Sequence, residues 1–429
     1  MDAAWVSLIV FVLCYVLFVV LPARRSWTAC VGALVLVAAG ALNWRDALLE
    51  KISWNVMGLF FGTLILAELF IQSRAPAVIA EWLVDRTRTT RAAMLVLCAL
   101  AGAISIFVEN VAVVLLVAPV ALSLAEKLKV HPAPLMIGIA ISSNLQGTAT
   151  MIGDPPSMIL AGYMKMGFWD FFFYRGKPGI FFAIQAGAIV SLCVLAFFFR
   201  RHRENLTLLN QEQARSWAPA SFLGVLIVGL SFATAIDPDF RWFVGTYTMA
   251  LAGLALLWYR GVAHWGKVRT LVRGLDWDTT FFLMGVFVVV GALSESGWLD
   301  RLSEGLSASV GSHLVLAFIS IVLLAVVISG FVDNVPFLLV MIPVAHSVGL
   351  KFADRAPGAD VLLLFGLLIG ACLGGNLTPI GASANVVTLG LLKKQGHSVS
   401  FADFMRIGIP FTIAAVLAGG LCIWLAFGS

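Results

Sequence analysis

Phe107-Val108-Glu109-Asn110-Val111 and Phe331-Val332-Asp333-Asn334-Val335 are two copies of one phrase, 224 residues apart (333 − 109), each placing an acid and an amide inside an apolar run. Other features keep nearly the same spacing. Trp54-Asn55 matches Trp277-Asp278 and Gly62 matches Gly285, both 223 apart, and Ile152-Gly153 matches Ile380-Gly381, 228 apart. The chain therefore reads as a duplication. A charged side chain at mid-membrane costs roughly 3 kcal/mol on insertion scales and persists where it has a partner or a task. Two halves, each with such an acid, point to a membrane transporter whose site lies where the halves meet.

The composition agrees. Of 429 residues, 61% are hydrophobic and 12% charged, against roughly 25% charged in a soluble domain. The first apolar run, Ala4 to Leu21, lacks a basic leader and is too long for a signal-peptide core, so it is read as a retained helix. The net charge of +5 is distributed over loops between apolar runs, as orientation signals are, which argues against nucleic acid as a partner. The six cysteines lie within apolar segments without CxxC spacing, so neither a disulfide framework nor a zinc site is indicated.

Spanning segments are expected at about 4–22, 27–43, 55–73, 133–162, 180–199, 217–235, 242–259, 278–297, 361–392 and 407–427. The stretches 92–126 and 313–347 are each interrupted by the acid–amide phrase. Their arms are at the short limit for spanning, so each is read as a re-entrant hairpin with its acid at a buried tip. Arg24-Arg25, the 74–91 loop, Lys127 with Lys129, the 200–216 loop including Arg203, the 260–273 loop and Lys393-Lys394 fall on one side. By the positive-inside rule that side is cytoplasmic and both termini are outside. The expected fold is an all-α polytopic membrane protein of two inverted-topology repeats, each with five transmembrane helices, one of them broken, and one re-entrant hairpin. Residues 1–199 form the first repeat, 200–216 a cytoplasmic linker and 217–429 the second.

The chemistry concentrates at the tips and at two loops. Glu109 and Asp333 are candidate proton carriers, with Asn110 and Asn334 beside them able to coordinate a cation or bond a polar solute. The alternative is that the acids cap helix ends. The loops 146–157 and 374–385 break long apolar runs with glycine and proline. Such breaks leave amides and carbonyls free at mid-membrane, where helix N-termini favour anions and unwound carbonyls favour cations. Thr148, Thr150, Asn376, Thr378, Ser383 and Asn385 add hydroxyls and amides, and Asp154 adds a third acid whose counterpart is Ala382. Asp170 and Asp403 match across halves and are read as helix-start residues. Cys98 and Cys372 are candidates for a soft metalloid, with the small buried hydrophobe as the alternative reading of each. The P-loop-like stretch 261–268 ends in valine within a basic loop, so ATP hydrolysis by this chain is not expected.

At these motifs the chain resembles the ion transporter superfamily over essentially its whole length. Residues 147–159 (GTATMIGDPPSMI), 331–343 (FVDNVPFLLVMIP) and 371–387 (ACLGGNLTPIGASANVV) are similar to the arsenite permease and P-protein branch. The resemblance implies paired inverted repeats, a site built from hairpin tips and unwound loops, and elevator-like alternating access, often in a homodimer. Relatives move arsenite and antimonite, exchange sodium for protons, or carry di- and tricarboxylates. The carboxylate branch is similar in having serines at the tips where this chain has acids. The expectation is a secondary transporter, not an enzyme, of the inner (plasma) membrane that exports arsenite or antimonite against protons. A sodium/proton antiporter is the alternative and an organic-anion transporter a further one. No cofactor is expected, an ATPase subunit is a candidate partner, and the driving force is the proton gradient, the membrane potential or a sodium gradient.

Overall fold

The computed structural model describes residues 2–127, 129–202 and 213–428. The first half runs α1 (Ala3–Val20), α2 (Arg25–Ala38), α3 (Trp54–Gln72), α4 (Ala75–Asp85), α5 (Thr90–Ser105), α6 (Asn110–Lys127), α7 (Ala133–Gly147), α8 (Pro155–Met164) and α9 (Ile180–Phe198). The second runs α10 (Ala218–Ser231), α11 (Phe243–Gly261), α12 (Trp277–Glu295), α13 (Trp298–Val310), α14 (Leu314–Ser329), α15 (Asn334–Leu350), α16 (Ala359–Gly374), α17 (Ser383–Lys394) and α18 (Phe401–Phe427). The order of elements thus repeats. Much of the expected 200–216 linker, Arg203 included, lies outside the described residues. A two-residue strand pair at 173–178 is a minor addition to a helical fold.

Among the described residues, seven helices are long and apolar enough to cross a membrane. Their burial patterns separate lipid-facing from central elements. In α1 the buried positions are Ser7, Val10, Cys14 and Phe18, three or four residues apart, while Leu13, Val16 and Val20 stay exposed. A single packed stripe with an apolar outer face suits a helix at the lipid boundary. Nearly every residue of α16 is buried, which makes it central.

Two packed groups result. In one, α2 lies along α12 and α3 along α11, with α1 and α10 beside them. In the other, the helix pairs α5–α6 and α14–α15 close on α7 and α16, with α9 against α18. Both α7 and α16 stop early and resume as α8 and α17 after loops 148–154 and 375–382. The 16-residue α5 and the 15-residue α7 each rise only about 24 Å or less at 1.5 Å per residue, short of the ~30 Å hydrocarbon core. The turn between α5 and α6 meets the 148–154 loop, where Thr150 bonds the Ile106 carbonyl, and the return helix α6, at 18 residues, is itself one of the seven long enough to cross. Proline interrupts the return arm of both hairpins, Pro119 in α6 and Pro343 in α15, again 224 apart (343 − 119).

Two expectations need correction. The 74–91 segment is no simple loop, because it contains α4, and α13 follows α12 in the same way. The buried faces of α4 are Ala75, Pro76, Ala80 and Val84. Their helical spacing lies between flanking basic residues, Arg74 before the helix and Arg86, Arg88 and Arg91 after it. The 260–273 segment likewise carries a short helix, Val268–Gly274. Arg25 is the second correction: it opens α2 and turns inward.

Candidate functional site

Each acid–amide phrase joins the two helices of a pair and begins the return helix. Glu109 Oε2 accepts from the Ala112 amide at 3.1 Å, and Asp333 Oδ1 accepts from the Val335 amide at 3.1 Å. Both acids therefore cap the helices that follow, as the simpler reading of them required. They also line one cavity of about 40 Å³ between the two tips, room for a few water molecules. Asn110, Asn334, Asp154 and Ser383 line it as well. Four helix N-termini, those of α6, α8, α15 and α17, thus converge on the same space.

Hydrogen bonds lock the tips to the unwound loops in the same pattern in both halves. Thr150 Oγ1 donates to the Ile106 carbonyl at 2.5 Å, and Thr378 Oγ1 donates to the Gly330 carbonyl. Glycine lets these loops approach. A Cβ on Gly381 would lie 2.7 Å from the Gly375 oxygen and 2.9 Å from the Gly330 oxygen, and Gly153 is equally hemmed in by the Gly147 and Ser105 carbonyls. Asn385 Nδ2 donates to Gly375 O at 2.9 Å and Thr378 O at 3.0 Å, closing the second loop. The two halves then join through a ladder of amides. Asn110 Nδ2 donates to Asn144 Oδ1 at 2.5 Å, Asn144 Nδ2 to Asn376 Oδ1 at 3.0 Å, and Asn376 Nδ2 to the Ile141 carbonyl at 3.2 Å.

The sequence-derived residues fall into two shells. Glu109, Asn110, Asp154, Asp333, Asn334 and Ser383 line the cavity. Thr148, Thr150, Asn376, Thr378 and Asn385 are fully buried behind it, where all but Thr148 make the bonds just described. Cys98 and Cys372 are buried, and neither thiol lines the cavity. Asp154 is 5% exposed, and its Oδ2, like Thr148 Oγ1 and Asn385 Oδ1 nearby, has no hydrogen-bond partner among the described residues. A buried carboxyl oxygen left open in this way asks for a proton, a water or a ligand. Asp403 closes a capping box with Ser400 at the start of α18, and Asp170 accepts from the Gly167 amide at 2.7 Å, so both serve helix starts.

Sequence reasoning missed the wall opposite the tips. Arg25, Asp276, Thr279 and Phe282 line the cavity from α2 and α12. The Arg25 guanidinium donates to Asp333 Oδ2 at 2.6 Å, Asp278 Oδ2 at 3.2 Å and Thr279 Oγ1 at 2.9 Å. It lies 5.0 Å from the Phe282 ring centre. Thr279 in turn donates to Asp276 Oδ2 at 2.6 Å. Asp278 was visible as the partner of Asn55 in the repeat, and the change from amide to acid there was the signal. Asn144, an amide deep in the apolar run of α7, was another.

A family model described as a citrate transporter matches residues 15–351 and, in a second overlapping match, 250–429. A 46 kDa membrane protein of Mycobacterium leprae is 27% identical, with 98% of each chain covered. An uncharacterized transporter of Mycobacterium tuberculosis is 28% identical with the same coverage. The human P protein is 24% identical over 94% of this chain and 58% of its own length. Among solved structures, the YdaH transporter of Alcanivorax borkumensis shares the fold with a TM-score of 0.60 at 13% identity, covering 99% of this chain and 98% of that one.

Proposed function

Because the chain belongs to the citrate transporter family of the ion transporter superfamily, we propose that it is a proton-coupled secondary transporter exporting a small oxygen-rich solute, arsenite or antimonite, by alternating access. Glu109, Asp333 and Asp154 carry the protons. Asn110, Asn334 and Ser383 bond the solute.

The observation that supports this reading is the cavity itself. It is small and has four carboxylates, Glu109, Asp154, Asp276 and Asp333, for one guanidinium. An uncharged trihydroxide offers donors to those oxygens and needs little room. A tricarboxylate brings like charge against them and would leave the acids unpaired in a confined space. The thiols lie outside the cavity lining, so the solute is held through oxygen rather than sulfur. The excess of acid also favours a second reading, exchange of sodium for protons with the same carboxylates as ligands.

Proteoliposomes separate these readings. An imposed proton gradient is expected to drive arsenite flux, and Glu109→Gln to lower it at least tenfold. Sodium-driven dequenching of a trapped pH dye without arsenite flux would transfer the assignment to the exchanger. Saturable citrate uptake would overturn both.

A further inference from the structure

Arg25 joins the two packed groups of the molecule. It belongs to α2, which packs along α12, and three of its contacts, Asp278, Thr279 and the Phe282 ring, stay within that group. Its shortest contact crosses over. Asp333 sits at the tip of the second hairpin, 2.6 Å away, and Ser383 at the start of α17 lies 3.4 Å away. A guanidinium keeps its charge at any attainable pH, so only the carboxylate can end this pairing by changing state. The matching place in the other half is neutral. Asn55 stands where Asp278 does, and it bonds the Gly245 amide at 2.6 Å and the Phe240 carbonyl at 2.9 Å. Glu109, at the first tip, has no ion-pair partner among the described residues.

We propose that Arg25 is a latch that holds the second hairpin tip against α2 and α12, and that neutralisation of Asp333, by a proton or a bound cation, releases the tip for its movement. This rests on the alternating-access reading above but not on the identity of the cargo. Arg25 acts here as a positioning residue: it sets when the tip can leave. The other charged or titratable groups facing the pair are Asp278 and Asp276 from α12, Glu109 and Asp154 across the cavity, and Tyr15 from α1. None of these is a cation, so none replaces Arg25 when it is removed.

Hydrogen exchange read by mass spectrometry tests the latch on the purified full chain without a substrate. Arg25→Gln and, separately, Asp333→Asn are expected to raise exchange in the 330–336 peptide by roughly tenfold, since each breaks a part-buried ion pair. The 106–112 peptide at the other tip is expected to keep its wild-type rate, and Arg25→Lys to fall between. Unchanged exchange at 330–336 in both variants would overturn the latch. So would equal loosening at both tips, which would mark Arg25 as a general packing residue. Asp333→Asn keeps the test intact where Arg25→Gln fails to fold. Failure of arsenite transport leaves these outcomes untouched, so the two proposals fail separately.

Discussion

Asp154 has the least support of the carboxyls around the cavity. It heads α8, yet its side chain makes no cap bond, and one of its oxygens is unpartnered. A structural acid would be paired, because burying an unpaired polar group costs free energy. Asp154→Asn is therefore expected to leave the thermal midpoint of the purified protein equal or raised while coupled transport falls at least tenfold; a lowered midpoint with retained transport would show the acid to be structural. The acids at the tips were legible from sequence because they interrupt apolar runs. Arg25 was not, because it follows Arg24 at the end of a span, where arginine ordinarily marks the cytoplasmic boundary. Only the fold shows that one arginine of the two turns inward to Asp333.

At the scale of elements, the broken helices depend on glycines that admit a neighbouring carbonyl. At Gly381 the close atoms are backbone oxygens of Gly375 and Gly330, which cannot swing aside as a side chain can. Gly381→Ala is expected to cost at least about 1 kcal/mol of stability and to impair transport, read from thermal unfolding in detergent and from vesicle flux. The start of α11 offers a pH-dependent counterpart. Burial pushes the Asp237 carboxyl up, but bonds from the Trp242, Phe243 and Arg241 amides and the Arg241 charge outweigh it, holding the group below its usual range. A depressed folded value means that the unfolded chain takes up the proton first. Its contribution is then present above the ordinary aspartate range and is lost as pH falls through the folded value. Asp237→Asn is expected to flatten the acid limb of the stability profile, and an unchanged limb would refute the capping role. The break sites were legible because glycine and proline cannot continue a helix. The helices α4 and α13 were not, because their charges hid their apolar stripes.

For the whole molecule, the repeated order of elements was readable from paired phrases alone. The separation into two packed groups was not readable, since it depends on which helices meet rather than on their order. The distribution of basic residues predicts that both termini face away from the cytoplasm. Alkaline phosphatase fused after Ser429 is expected to be active and green fluorescent protein at the same point dark; the opposite pattern would invert the topology.

Pro119 and Pro343 give this architecture an uneven stiffness. Proline has no amide hydrogen, so each return arm lacks one rung of its helical ladder, to residue 115 in α6 and to residue 339 in α15. Bending a helix elsewhere means stretching intact bonds. Bending it here stretches nothing that was joined. Each hairpin is then a rigid tip on a compliant stalk, and elastic deformation has a built-in place to gather, at the same point in both halves.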